Sequence, residues 1–242
     1  MKDVQEFYDE QWSSAAVKGE ENDFLVMMDS AIAYSYEQLG NVLGRTVLEI
    51  GSGSGRQMVY FAQQGAKLVT IDISTASLRA IRDLTLQHQF KNVQAYEMNA
   101  EKLDFPDNTF DFIYINSTMM HVDHQKVMKE CRRVLKPQGK LVMVEPLLSN
   151  PLMVVYRLFS AYRKTKPKYM SVSEFNHWGK EFSSFSHREF YFWSLASLPL
   201  YKKNQERAMR ISKRLEKIDT IILKVFPWLG RFCWVGVAGF KK

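Results

Sequence analysis

Glu49, Gly51, Gly53, Gly55 and Asp72 are the residues of this 242-residue chain whose types and spacing could do chemistry together. The run Val47-Leu-Glu-Ile-Gly-Ser-Gly-Ser-Gly55 sets three apolar residues around an acid and follows them with glycines at alternate positions. No helical period joins the apolar residues, so they read as a short buried strand, and the glycines read as a turn that no side chain crowds. Amides opening the helix expected over about Arg56 to Gln63 then point at whatever lies against the turn. A dinucleotide fingerprint needs its third glycine three residues after the second; Arg56 occupies that position and Gly55 comes one residue early. No Gly-Lys-Ser/Thr occurs anywhere, which excludes a Walker loop. Glu49, read as aimed at the same crevice, would repel a pyrophosphate and suit a cation. Asp72 ends the second apolar run, at the carboxyl edge of the sheet, where a carboxylate can accept both hydroxyls of a ribose or cap the next helix.

The pattern Glu-x-Gly-x-Gly-x-Gly resembles the first motif of class I S-adenosylmethionine-dependent methyltransferases, whose cofactor carries an ammonium and a sulfonium and no phosphate. Two later segments resemble the same family. Asn99-Ala-Glu-Lys-Leu-Asp-Phe-Pro-Asp-Asn-Thr-Phe-Asp111 is similar to its Asp-Ala-Glu-x-Leu-Pro-Phe … Phe-Asp segment, and Arg133-Val-Leu-Lys-Pro-Gln-Gly139 to its Arg-Val-Leu-Lys-Pro-Gly-Gly. Together the matches span about residues 45–146 in the family's order. The resemblance implies S-adenosylmethionine as cofactor, held by Glu49, Gly51, Ser52, Gly53, Gly55, Asp72, Ile73, Asn99, Ala100, Glu101, Asn116 and Ser117. Asn99 stands where the family has an acid, which leaves Asn99 and Glu101 both open as the acceptor for the adenine amine.

Methyl transfer from a sulfonium is an in-line displacement with a good leaving group, so alignment and water exclusion are the protein's main contribution. A base is needed only for acceptors that must lose a proton. His121, just past the carboxyl end of the fourth strand, is the first candidate, and Glu145, at the end of the fifth, the second; His177 and His187 are weaker ones. Each could equally be a packing or capping residue. Tyr8, Trp12, His121, Tyr162, His177 and Trp178 are the candidates for holding the acceptor, with the leading aromatics also readable as staples that pack the segment down. No metal site is expected: Cys131 and Cys233 lie far apart and neither has a CxxC partner.

Strand-like runs near Val47–Ile50, Leu68–Ile73, Val93–Met98, Phe110–Asn116 and Gly139–Val144 alternate with helical runs over Arg56–Gln64, Ser74–Gln87 and His124–Leu135. That alternation argues for parallel βαβ units and a doubly wound α/β sheet. Further strands are expected at about Glu189–Ser197 and Phe232–Phe240, around a helix near Lys203–Phe226. With the family resemblance, this makes seven mostly parallel strands with the last one antiparallel. The chain is expected to form a single domain: residues 1–44 as a helical lid, with a helix from about Phe24 to Leu43; 45–146 as the cofactor-binding core; and 147–242 as the substrate-specificity part. On the Lys203–Phe226 helix, Ile211, Leu215, Ile218, Ile222 and Val225 make one stripe, expected to cover the sheet or, with its basic residues, to lie on lipid.

The composition, 46% hydrophobic and 24% charged, is that of an ordinary soluble protein. Its net charge of +7 is uneven: residues 1–150 hold 15 Lys/Arg against 20 Asp/Glu, and residues 151–242 hold 18 against 6. A basic half points to anionic material or to a solvated surface. With no signal segment and no membrane-spanning run, the expected location is the cytoplasm, with peripheral membrane contact left open. The expected reaction is O- or N-methylation of a small, anionic or amphiphilic molecule, with carbon methylation as a further option. RNA methylation, a membrane-associated lipid or quinone-type reaction, and a non-catalytic cofactor-binding subunit are the alternatives. No appended RNA-binding module is present, so nucleic acid is not an expected partner.

Overall fold

Each apolar run of the first 146 residues becomes a strand of one sheet, and each amphipathic run becomes a helix laid on that sheet. In a computed structural model, residues 2–18, 28–197, 200 and 204–242 are described. The elements are α1 Lys2–Lys18, α2 Asp29–Leu39, β1 Thr46–Ile50, α3 Arg56–Gln63, β2 Lys67–Asp72, α4 Thr75–Gln87, β3 Val93–Glu97, β4 Phe110–Asn116, α5 His124–Val134, β5 Leu135–Pro146, α6 Pro151–Phe159, α7 Val172–Gly179, β6 Ser184–Phe190, α8 Gln205–Val225 and β7 Val235–Lys241. The part of the expected Phe24–Leu43 helix before Met28 lies outside the described residues.

The seven strands lie in the order β3-β2-β1-β4-β5-β7-β6. β1 to β5 pair in parallel, and β7 runs antiparallel to both β5 and β6. This is the doubly wound class I methyltransferase fold, with one antiparallel strand inserted between two parallel ones. The chain winds outward from β1 in one direction and from β4 in the other, so a crevice opens at the carboxyl ends of these two neighbours.

Period-two alternation divides the core between the faces. Val47 and Tyr114 face α2 and α3, packing with Ala31, Leu39, Met58 and Phe61. Leu48, Ile50, Ile113 and Ile115 face α5 and meet Val127, Met128, Cys131 and Val134. Burying each of these large side chains is worth about 1.5–3 kcal/mol. The helices begin where their caps dictate: Ser74 caps α4 by accepting from the Ser77 amide, and Asp123 caps α5 by accepting from Gln125 and Lys126.

Two expectations in the last third are corrected. The strand expected at about Glu189–Ser197 is β6, which ends at Phe190; Tyr191 takes a positive φ of 66° and a 3₁₀ turn, Ser194–Ser197, follows. Buried Asp219 of α8 fixes that turn, accepting the amides of Phe192, Trp193 and Ser194 at 2.9, 2.9 and 3.2 Å. The apolar stripe expected on α8 is only partly covered: the fully buried positions are Ala208, Ser212 and Asp219, while Ile218 and Val225 are exposed. The helix turns its polar residues toward the Asp219 network and leaves part of its apolar stripe outside.

Candidate functional site

A cavity of about 220 Å³ lies in the crevice at the carboxyl ends of β1 and β4. The glycine turn forms one wall. Gly51 has φ +80° and a Cβ there would sit 2.1 Å from Thr118 Oγ1; Gly53 has φ +49° and its Cβ would reach Trp12 at 3.0 Å. Glycine is therefore required at Gly51 by both conformation and space. Asp72 stands beside the turn. Its Oδ2 accepts the Gly53 amide at 3.0 Å and the Ser77 hydroxyl at 3.1 Å, and its Oδ1 accepts the Ser74 amide at 2.9 Å. The helix cap that Asp72 could have supplied comes from Ser74 instead, so Asp72 braces the turn and lines the cavity. Ile73, Asn99, Ala100, Asn116 and Ser117 line it as well.

Several residues read from the sequence as facing the crevice do not line it. Glu49 follows the same alternation as Val47 and points to the α2/α3 face, 2% exposed, where Thr70 Oγ1 donates to it at 2.7 Å. Burial pushes its carboxyl up to about 8. It lies beneath the turn, not in the cavity. Ser52 is buried behind the loop against Asp72 and Ser77, at 3.4 and 3.3 Å, and Gly55 backs onto Ile81 and Leu84 of α4. Glu101 turns away to the start of α5, accepting the Asp123 amide at 3.0 Å and pairing with Lys126 at 3.2 Å. Of the two candidates for an adenine amine, Asn99 alone lines the cavity, and its Oδ1 already accepts the Glu101 amide at 2.8 Å.

Glu145 is likewise buried behind the wall and cannot touch a ligand as a base would. Its Oε1 accepts the amides of Thr118 and Met119, both at 3.0 Å, and burial raises its carboxyl to about 8. It positions the segment carrying Thr118 and His121.

The opposite wall is built from both flanks of the chain. α1 crosses the carboxyl edge and is clasped to the start of α4 by Asp9, whose Oδ1 accepts from Ser74 Oγ at 2.7 Å and the Ala76 amide at 3.1 Å. Burial opposes the Asp9 charge, yet these bonds hold its pKa below the ordinary value. Tyr8 and Trp12 of α1, whose rings stack at 6.3 Å, face into the cavity. The Tyr8 hydroxyl lies 2.7 Å from His121 Nε2. Burial lowers the His121 pKa to about 4, and its Nδ1 is buried without a hydrogen-bond partner. The imidazole is therefore neutral near pH 7 and free to take a proton.

Met153, Tyr156, Arg157 and Ser160, spaced i, i+3, i+4, i+7, turn one face of α6 and the residue after it into the cavity wall. Arg157 is the one charged side chain of this helix. Its guanidinium stacks 3.4 Å from the Tyr169 ring centroid and donates to the carbonyls of Leu148 and Leu147 at 3.0 and 2.8 Å. No helix was expected here from the sequence, and nothing in it separated Arg157 from the neighbouring cations. Thr118, also missed, lies one turn before His121 and packs on Gly51.

His177 and Trp178 line a separate depression with His124, Lys168 and Glu181 and do not line the cavity at the ends of β1 and β4. α7 carries them outward as it packs Phe175 into the core. His187 is on outer strand β6, paired with Glu189. The Tyr162 side chain lies outside the described residues.

A family described as "Methyltransferase domain" matches residues 48–143. Over 125 residues the chain is 36% identical to the ubiquinone/menaquinone biosynthesis C-methyltransferase UbiE of Escherichia coli O1:K1 / APEC, covering 48% of this chain and 49% of that one. The corresponding protein of Hahella chejuensis is 32% identical over 117 residues, 46% and 47% of the two chains. The chain thus spans about half the length of the curated relatives it matches. Among solved structures, a chain of the Haloferax volcanii complex containing the Trm112 methyltransferase activator superposes with a TM-score of 0.67 at 14% identity, covering 97% of this chain and 96% of that one. Haemonchus contortus phosphoethanolamine N-methyltransferase 2, in complex with S-adenosyl-L-methionine, gives 0.65 at 15% identity, covering 88% and 52%. At these identities the structural likeness is one of fold. The glycine turn and the Asp72 brace both lie within the segment, residues 48–143, that is similar to the methyltransferase domain.

Proposed function

We propose that the protein methylates a small, lipophilic acceptor whose reacting group is an acidic hydroxyl, at oxygen or at the adjacent carbon, using S-adenosylmethionine. The observation that carries this reading is the Tyr8–His121 pair, 2.7 Å apart, in a cavity that also holds the glycine turn and Arg157. The cavity fits the cofactor: the turn is open where any side chain would intrude, Asp72 can accept from ribose hydroxyls, and Asn99 and the Ala100 backbone lie where an adenine edge would rest. The pattern supports residues 1–44 as lid, 45–146 as cofactor core and 147–242 as the part that selects the acceptor.

When bound, S-adenosylmethionine supplies a methyl group on a sulfonium, ready for in-line attack. The rest falls to residues of this chain. Trp12 and Tyr8 cover the crevice and exclude water. A neutral His121 takes the acceptor's hydroxyl proton, directly or through the Tyr8 hydroxyl, which passes its own proton to Nε2 as it receives one. A base whose pKa is about 4 manages this only for an acidic hydroxyl whose anion is stabilised, and the Arg157 guanidinium is the cation positioned to do so. A phenolate or enolate so formed is nucleophilic at oxygen and at the adjacent carbon. Carbon attack is favoured by the relatives, which are named as C-methyltransferases of quinone biosynthesis.

The test is transfer of radiolabelled methyl to a panel of hydroquinones, phenols and amines. Hydroxyl-bearing rings are expected to be labelled and amines not. His121→Gln is expected to lower turnover by about 10²–10⁴ with S-adenosylhomocysteine affinity intact. Labelling of amines alone, at a rate indifferent to His121, would overturn the proposal.

A further inference from the structure

The helix that walls the cavity has a second face left exposed among the described residues. α6 reads Pro-Leu-Met-Val-Val-Tyr-Arg-Leu-Phe, and its one charge, Arg157, is turned inward. On the outer side Leu152 is 56% exposed, Val155 57%, Leu158 55% and Phe159 85%, with Leu148 at 50% just before the helix. A helix apolar on all sides belongs in a protein interior or in contact with lipid. Its flank is cationic. Arg163, Lys164, Lys166 and Lys168 follow within nine residues, all exposed, and none is in an ion pair among the described residues. Arg163 Nη1 donates to the Leu158 carbonyl at 2.6 Å, which fastens the basic turn to the end of the helix. No Asp or Glu occurs between Glu145 and Glu174.

We infer that α6 and the basic turn after it dock on an anionic lipid surface, so that one helix has its outer face in the headgroup layer and its inner face in the cavity wall. Leu152, Val155, Leu158 and Phe159 enter the boundary between headgroups and acyl chains, and the four cations meet lipid phosphates. This rests on the proposed function only in giving a lipophilic acceptor a short path from the bilayer to Arg157. A second copy of the chain is a poor occupant. A helix of nine residues is about 13 Å long and offers on the order of 200 Å² on one side, where a stable protein interface takes roughly 800 Å² from each partner. RNA would meet the cations but not the apolar row.

The deciding experiment sediments the full chain with vesicles of phosphatidylcholine alone and of equal parts phosphatidylcholine and phosphatidylglycerol. Binding is expected to the mixed vesicles only, weakened by salt but not abolished, since the apolar part is insensitive to screening. The double variant Leu152→Asp/Phe159→Asp is expected to lose vesicle binding, and Arg163→Glu/Lys164→Glu/Lys166→Glu to weaken it on the order of a hundredfold. Both should keep the melting temperature and S-adenosylhomocysteine affinity of the unaltered chain, because every altered residue is outside the cavity. No sedimentation with either vesicle, or unchanged binding by the double variant, would overturn the inference. So would a dimer in sedimentation equilibrium that the same double variant splits. Calorimetry of S-adenosylhomocysteine reports on the proposed activity separately, so either reading can fail without the other.

Discussion

Gly53 shows how one residue joins two halves of the site. Its amide is held by Asp72 and its missing side chain makes room for Trp12, so the turn, the acid and the lid meet at one α-carbon. A valine there must adopt φ near +49°, where a β-branched residue is strained by roughly 1–3 kcal/mol, and must push Trp12 out of place. Gly53→Val is expected to weaken S-adenosylhomocysteine binding by at least about a hundredfold in calorimetry while the chain still unfolds cooperatively; normal affinity would mean the loop does not cradle a ligand. The three glycines and Asp72 were legible because the spacing of a strand, a turn and a helix leaves few other uses for them. Glu49 was legible as an acid but not in its direction. Its position, two residues before the turn, suggested the crevice, whereas strand alternation sends it with Val47 to the helical face. Glu145 was read toward the site for a different reason: its two backbone donors, Thr118 and Met119, are invisible in sequence.

Among the elements, α1 is tied to the start of α4 by a clasp. Asp9 accepts from the side chain of Ser74 and the amide of Ala76, so a carboxylate from one helix serves the positive end of another. Losing a cap of this kind costs about 1 kcal/mol. Because α1 carries Tyr8 and Trp12, that cost should appear in ligand affinity more than in global stability. Asp9→Ala is expected to weaken S-adenosylhomocysteine binding by roughly three- to tenfold and to speed hydrogen exchange in α1, with the melting temperature little changed. Unaltered exchange would show that α1 is held by its aromatic contacts instead. The core strands and α3, α4 and α5 were readable to within a few residues, since each has a clear period and a turn signal beside it. β6 was not, because Phe190-Tyr-Phe-Trp193 attracts a strand assignment that Tyr191's positive φ forbids. The α8 stripe is only partly covered: Asp219 lies inside, where it holds the Ser194–Ser197 turn, while Ile218 and Val225 are exposed.

The molecule as a whole carries buried groups around the site whose titrations oppose one another. Glu49 and Glu145 are both raised from 4.5 to about 8, and His121 is lowered from 6.5 to about 4, in each instance chiefly by burial. Between about 4.5 and 8 the folded chain keeps two protons that the unfolded chain has released. The stability these carboxyls confer is complete below about 4.5 and is lost as pH rises toward 8. His121 acts with the other sign. Between about 4 and 6.5 the unfolded chain binds a proton that the folded chain excludes, so stability falls as pH drops through that interval. Above about 6.5 His121 no longer contributes while the two carboxyls still do, and the urea midpoint is expected to decline from about pH 6.5 to about pH 8.5. Glutamine keeps a carbonyl oxygen for the Thr118 and Met119 amides, and likewise for the Thr70 hydroxyl, but it cannot ionise. Glu145→Gln should therefore make the decline shallower, and Glu49→Gln with Glu145→Gln should flatten it, with the curves of variant and unaltered chain drawing together in acid. A double variant whose midpoint still falls as steeply with pH would show that these two carboxylates are already ionised inside the fold.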